Sequence, residues 1–272
     1  MTDLRAFSKR GFDGVALKPT EIDLDRVCAA DVERAIVDYE GGEHVPSTSL
    51  LEEFARETTV RLTTPVRADG FDPLGDAPLS KRLPAGVGRV LVAGNPAYLT
   101  DDERRRAIAP RLGAARTDDP EAWIGTEGVE RLALAAGGTQ FELLSPSATA
   151  EVRALRAAGF DDEIAVYAPV VLSDDEATLL DTLGAYVARR GSVAAALENA
   201  RTEETNRAAV ADGAPTDATA TGRSRAILLE AIDEFALVGR PARVGERIEE
   251  LRSAGVDTVI GYPARGPDAL GR

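Results

Sequence analysis

Short apolar runs recur along this chain, separated by stretches with a different hydrophobic spacing. Eight of them read as strands: GVALKP (14–19), RAIVDYE (34–40), VRLTTPV (60–66), RVLVAGN (89–95), AWIGTE (122–127), TQFELLS (139–145), EIAVYAP (163–169) and DTVIGYP (257–263). They are apolar runs rather than strict alternations, as expected of strands covered on both faces. Between most of them the apolar positions fall at helical spacing, as in SLLEEFARE (49–57), TDDERRRAIAPRLGAAR (100–116), residues 147–159 and PARVGERIEELRSAG (241–255). This alternation predicts a parallel sheet with helices outside it, and eight such units close a (β/α)8 barrel, the TIM barrel. An open doubly wound sheet is the runner-up, but no Gly-x-Gly-x-x-Gly turn follows the first strand.

One punctuation mark appears three times. Helix, Gly, apolar residue, Asp, strand is found in FSKRGFDGVALKP (7–19), LRAAGFDDEIAVYAP (155–169) and LRSAGVDTVIGYP (251–263). The Gly supplies the left-handed position that ends a helix, and the apolar residue after it packs back on the helix. Two segments depart from the alternation. A first helix, about 3–10, precedes the first strand and is expected under the barrel floor or as an N-terminal cap. Residues 170–256 form a mostly helical insertion between the seventh and eighth strands, interrupted by ADGAPTDATATG (211–222). The insertion is expected to be partly flexible and loosely packed on a single domain spanning 1–272.

Length and composition agree with that reading. The chain has 272 residues, 44% of them hydrophobic, and a barrel of this type takes about 250. No apolar stretch approaches the ~18 residues of a membrane span, and MTDLRAFSKR lacks the apolar core of a secretory signal. A single cysteine, Cys28, excludes an intramolecular disulfide and a cysteine-built zinc site. A cytoplasmic location is expected. Asp and Glu number 46 against 32 Lys and Arg, a net charge of −14, and only Lys9, Lys18 and Lys81 are lysines. Such a surface suits a cytosol at molar salt, where the Debye length is about 3 Å and self-repulsion is screened. A halophilic, haloarchaeal-type source is therefore expected, with a high-GC genome as the alternative origin of the arginines. Neither a nucleic-acid footprint nor a membrane partner is indicated, and a small-molecule substrate is the expected partner.

Barrel active sites form at the C-terminal ends of the strands. Those ends carry Lys18, Asp38, Tyr39, Glu40, Thr63, Thr64, Arg67, Asn95, Thr126, Glu127, Ser145, Tyr167 and Tyr262. His44, the one histidine, follows the second strand in DYEGGEHVP (38–46), and a lone histidine gives no expectation of a metal site. Nucleophile-elbow, Walker A and zincin patterns are absent. In IGTEGVERLALAAGG (124–138) a strand runs through Thr-Glu-Gly straight into a helix. Thr126 is a candidate N-cap there, and first-turn amides make an anion site, with Arg131 or a neighbouring arginine as counter-charge. Glu127 opposes an anion, and a capped helix with no ligand is the alternative.

Four segments carry a family resemblance. EFALVGRPARVGERIEELRSAGVDTVI (234–260) resembles the C-terminal signature of the luciferase-like superfamily, which includes bacterial luciferase, flavin monooxygenases and archaeal deazaflavin-dependent reductases. VRLTTPV (60–66) is similar to the third-strand segment that carries a backbone bulge against the flavin ring. IGTEGVERLALAAGGTQFELLSP (124–146) is similar to the stretch from the fifth to the sixth strand, and IAVYAPVVLSDDEATLL (164–180) to the seventh strand and the acidic helix start after it. Arg240 stands where Thr is usual, and Gly128-Val129 replaces a common Gly-Pro pair.

The resemblance implies a shortened member that passes a hydride between a deazaflavin (coenzyme F-420) or FMN and a small or pterin-like substrate. It puts Thr63, Thr64 and Pro65 behind the cofactor ring and Thr126, Glu127 and Gly128 on its phosphate, with Asp38, Glu40 or His44 supplying a proton. It also implies a homodimer, since members often pair. Two other readings stand beside it: a non-catalytic barrel that binds a metabolite or a partner protein, and an aldolase- or isomerase-type barrel using the Lys18 amine.

Overall fold

The computed structural model describes residues 9–27, 31–66, 83–94, 108–205 and 215–264. All eight expected strands are present: β1 (Gly14–Leu17), β2 (Arg34–Val37), β3 (Thr59–Pro65), β4 (Val87–Val92), β5 (Trp123–Gly125), β6 (Gln140–Leu143), β7 (Ile164–Val171) and, last in the chain, β9 (Thr258–Pro263). Each pairs in parallel with its neighbour, β9 joins β7, and Gly14↔Ile260 and Val15↔Gly261 close the ring between β9 and β1. The result is a closed eight-stranded (β/α)8 barrel. A two-residue strand, β8 (Leu237–Val238), adds to the outer half of β7. It lies in a stretch the sequence reads as the approach to the last helix, and two residues carry no periodicity of their own.

Helices α1 (Thr48–Glu57), α2 (Ile108–Asp118), α3 (Glu130–Ala136), α4 (Ala148–Ala157) and α8 (Pro241–Ala254) lie outside the sheet. The expected first helix and Cys28 lie outside the described residues, as do Arg67 and Asn95. Helix α1 begins at a Ser47 cap whose hydroxyl oxygen accepts from the Leu50 amide at 3.3 Å, and it buries Leu51 and Phe54. Thr126 is not a cap: Val129 N donates to Thr126 O at 2.9 Å, so a turn intervenes and α3 starts only at Glu130.

The recurring Gly-apolar-Asp turn forms the barrel floor. Gly255 takes the left-handed conformation (φ 112°) that ends α8. Asp257 then turns back, and its Oδ2 accepts from the Ile164 amide of β7 at 2.8 Å. Asp13 does the same to the Val259 amide of β9 at 2.8 Å, and Asp162, the residue after the turn's Asp161, to the Gly138 amide ahead of β6 at 3.0 Å. Each carboxylate thus pins the start of the next strand around the ring. Arg156 of α4 pairs with Asp257, and Arg252 of α8 with Asp13 at 3.1 Å, so the helices are tied to the same points.

Inside the barrel, Trp123, Phe141, Tyr167 and Tyr262 run in sequence across the space, with ring centroids 5.9, 6.0 and 6.1 Å apart. Smaller residues such as Ala16, Ile36, Val90 and Ile260 complete this inner cluster. The insertion forms α5 (Glu176–Ala188), α6 (Gly191–Thr205) and α7 (Gly222–Phe235), and its described part is tighter than expected. Leu180, Leu183, Val187, Leu228 and Ile232 build a core of their own. Gly184 of α5 lies directly against the Thr216 carbonyl, where no side chain fits. No described helix is long and apolar enough to cross a membrane.

Candidate active site at the barrel mouth

Four side chains from four neighbouring strands meet at the C-terminal end of the barrel. Lys18 leaves β1, Asp38 leaves β2, and Tyr167 and Tyr262 come from β7 and β9. Tyr167 and Tyr262 stack with their planes 15° apart. The Tyr167 hydroxyl donates to Asp38 Oδ2 at 3.3 Å. The Lys18 ammonium sits 4.1 Å from the Tyr262 ring centre and 3.7 Å from Glu21, whose carboxylate accepts the Tyr262 hydroxyl. Loss of water around Asp38 pushes its carboxyl up to about 7. Lys18 and the Tyr167 hydroxyl pull it down, and Glu40 and Glu21 push it further up. Tyr167, Tyr186 and Tyr262 are all raised above the ordinary phenol range, first by burial.

The other two candidate proton donors are placed differently. Glu40 is tied to the loop after β1, its Oε2 accepting from Thr20 N at 2.8 Å and Thr20 Oγ1 at 2.7 Å. His44 ends a one-turn 3-10 helix (Gly42–His44), is 41% exposed in its side chain, and lies 3.6 Å from Glu43. Of the three, Asp38 is the one that meets Lys18 and the tyrosines.

The residues proposed behind a cofactor ring divide as strand geometry requires. Thr63 points to the mouth side, and its Oγ1 accepts from the Tyr39 amide at 2.6 Å. Thr64, the next residue, faces the outer layer, where its hydroxyl donates to Leu62 O at 3.1 Å and meets the buried Arg89. Pro65 ends an unbroken one-to-one ladder with β4, from Val60↔Val87 to Pro65↔Val92, and β3 carries no bulge on that side.

The turn after β5 gathers carboxylates. The Thr126 hydroxyl donates to Glu142 on β6, and the Gly128 amide to Glu130 Oε1 at 3.2 Å. The Glu127 carboxylate accepts from Arg190 at 2.8 Å. Burial raises Glu142 to about 7, opposed by the Thr126 hydroxyl and reinforced by Glu151, Glu130 and Glu127. Arg190 also donates to the Tyr186 hydroxyl, and the charges of Glu127 and Asp38 both act on Tyr186. Tyr186 of α5 therefore lies between the turn and the mouth.

Tyr186 and Arg190 escaped the sequence reading because both sit in or beside an ordinary helix pattern. Glu142 had a signal: it is a lone carboxylate inside the apolar run TQFELLS.

The fold has known relatives in structure. The crystal structure of apo-MsnO8 superposes with a TM-score of 0.51 at 14% identity, covering 94% of each chain. The oxygenating constituent of 3,6-diketocamphane monooxygenase from Pseudomonas putida, a type II Baeyer-Villiger monooxygenase in complex with FMN, gives a TM-score of 0.50 at 13% identity over 96% of each chain. At these identities the likeness is one of fold. Comparison with curated proteins gives no significant match. The profile of a family of unknown function, DUF7388, matches residues 7–270, and the chain belongs to that family.

Proposed function

We propose that this chain is a luciferase-like oxidoreductase acting on a small organic molecule at the barrel mouth, with Asp38 as its proton-transferring group. The observation that carries the reading is Asp38 itself: a carboxyl at the C-terminal end of a barrel strand, raised to about 7 and hydrogen-bonded to Tyr167. A carboxyl poised near neutrality serves as both general acid and general base. The monooxygenase fold it shares supports the redox class. A bound flavin or deazaflavin (coenzyme F-420) would supply the redox chemistry, and the protein supplies position and protons.

The chain's own residues have definite parts in this proposal. Tyr167 steadies the ionised form of Asp38, and Lys18 adds positive charge that favours the same form. The Thr63 oxygen is occupied by the Tyr39 amide, which leaves its hydroxyl hydrogen to face a ring at the mouth. At the phosphate end the fit fails: the Thr126 hydroxyl and the Gly128 amide are both engaged with carboxylates.

The test is fluorescence or absorbance titration at molar salt with riboflavin, FMN and coenzyme F-420, on the native protein and on Asp38→Asn. Saturable binding of one of these rings supports the proposal. Failure of all three at high micromolar concentration removes the redox class.

The non-catalytic reading is favoured by a different observation. The Trp123–Phe141–Tyr167–Tyr262 row fills the barrel interior with bulky side chains, and β3 lacks a bulge against β4. Under that reading a ligand or partner protein binds the mouth rim without turnover.

A further inference from the structure

The turn after β5 has the backbone shape of an anion site and the charge of its opposite. A phosphate held there would draw on the Thr126 hydroxyl, the Gly128 amide and the Arg190 guanidinium. Each is already committed to a carboxylate of this chain: Thr126 to Glu142, Gly128 to Glu130, and Arg190 to Glu127. An incoming phosphate would meet three carboxylates in place of three donors.

Two further features point the same way. Helix α3 has only seven residues, and Val129, the residue before its start at Glu130, supplies no side-chain cap, so it presents little aligned dipole. The turn is also pressed against the end of β4. A Cβ on Gly94 would collide with the Glu127 carbonyl and lie 2.8 Å from Val129 Cγ1, so no gap separates strand from turn.

We propose that this turn excludes anions, and that the compound taken by the barrel mouth carries no phosphate. This rests on the mouth reading for the ligand's place but not for the exclusion. Within the flavin class it names a phosphate-free ring, of the riboflavin kind, in place of FMN. Glu142 is held high chiefly by burial, and Glu151, Glu130 and Glu127 add negative charge around it. Neutralising one or two of these carboxylates would weaken their hold on the donors, since a neutral amide oxygen accepts less strongly than a carboxylate, and remove a repulsion together.

Inorganic phosphate is the direct probe, followed by the Gly128, Val129 and Glu130 amide signals in a ¹H–¹⁵N spectrum of labelled protein above pH 7.5. The native protein is expected to show no saturable shift there, and the Glu130→Gln/Glu142→Gln double variant a saturable one. Glu130 is exposed, so Glu130→Gln alone serves if the double variant does not fold. A saturable phosphate shift at Gly128 in the native protein overturns the proposal, and so does a folded variant as unresponsive as the native protein. Equilibrium dialysis against riboflavin and FMN, which share one ring, adds a second arm. Riboflavin retained about ten-fold more tightly than FMN is expected, about 1.4 kcal/mol of repulsion, and FMN bound equally or better contradicts it. Retention of neither ring, with a flat phosphate titration, upholds the exclusion and counts against the flavin proposal alone.

Discussion

Tyr167 on β7 donates its hydroxyl to Asp38 after β2, across 129 residues of sequence and across the open end of the barrel. The bond favours the ionised carboxylate while burial opposes it, and burial dominates. Removing the bond without removing the ring therefore raises the carboxyl further. In Tyr167→Phe the Asp38 midpoint is expected to move upward by roughly half a unit to one unit, the worth of about 1 kcal/mol of hydrogen bond. Carboxyl-carbon NMR of the variant reads this directly, and a downward movement would contradict the assignment.

Stability should carry the same signature. Asp38 and Glu142 both sit near 7 in the fold, whereas in the unfolded chain they ionise near 4. Between those values the folded state holds protons that the unfolded state releases. From these two groups, stability falls as pH rises from about 4 to about 7. Asp38→Asn removes one contribution, so its thermal midpoint should fall less than the native one between about pH 5 and about pH 8. Parallel curves for the two proteins would argue against a raised Asp38.

Much of the fold was legible because strand burial writes itself as apolar runs. Residues such as Val15, Ile36, Val90 and Val259 are buried on whichever side of the barrel wall they face, so the runs show no alternation. The three Gly-apolar-Asp turns were also visible, but not their purpose. That Asp257 serves the Ile164 amide and Asp13 the Val259 amide depends on which strands become neighbours, which no local pattern states. The site was legible in the same uneven way. Asp38 and Tyr167 were read from strand ends, while Tyr186 enters from a helix of the insertion through Arg190 and Glu127. Thr126 is named from a turn shape and Gly128 from the family resemblance, and the carboxylates that occupy them come from later in the chain.

The floor clamps make a prediction about stability alone. Asp13 accepts from the Val259 amide and pairs with Arg252, which also donates to Gly11 O at 2.7 Å. Asp13→Ala leaves a backbone amide and a guanidinium short of a partner at the point where β9 meets β1. A loss of about 2 kcal/mol is expected from urea unfolding, on the scale of charge-assisted hydrogen bonds. A change within about 0.5 kcal/mol, typical of surface sites, would mean the clamp is ornamental.

Gly184 tests the packing of the insertion. A methyl group there would run into the Thr216 carbonyl, so Gly184→Ala must move α5 or the 215–220 segment. The helical gain of Ala over Gly, about 1 kcal/mol, works in the other direction. Overpacking of this kind commonly costs about 1–3 kcal/mol, and a net loss of stability with faster proteolysis in the insertion is expected. A stabilised variant would show that the segment is loosely held.

The central claim is that Asp38 is a carboxyl poised near neutrality at the mouth of this barrel. Its own titration, followed by carboxyl-carbon NMR with the resonance assigned through Asp38→Asn, tests that most directly. A midpoint at about 7 is the result the structure predicts. A midpoint in the ordinary aspartate range, near 4, would contradict it and leave the mouth without its proton-transferring group.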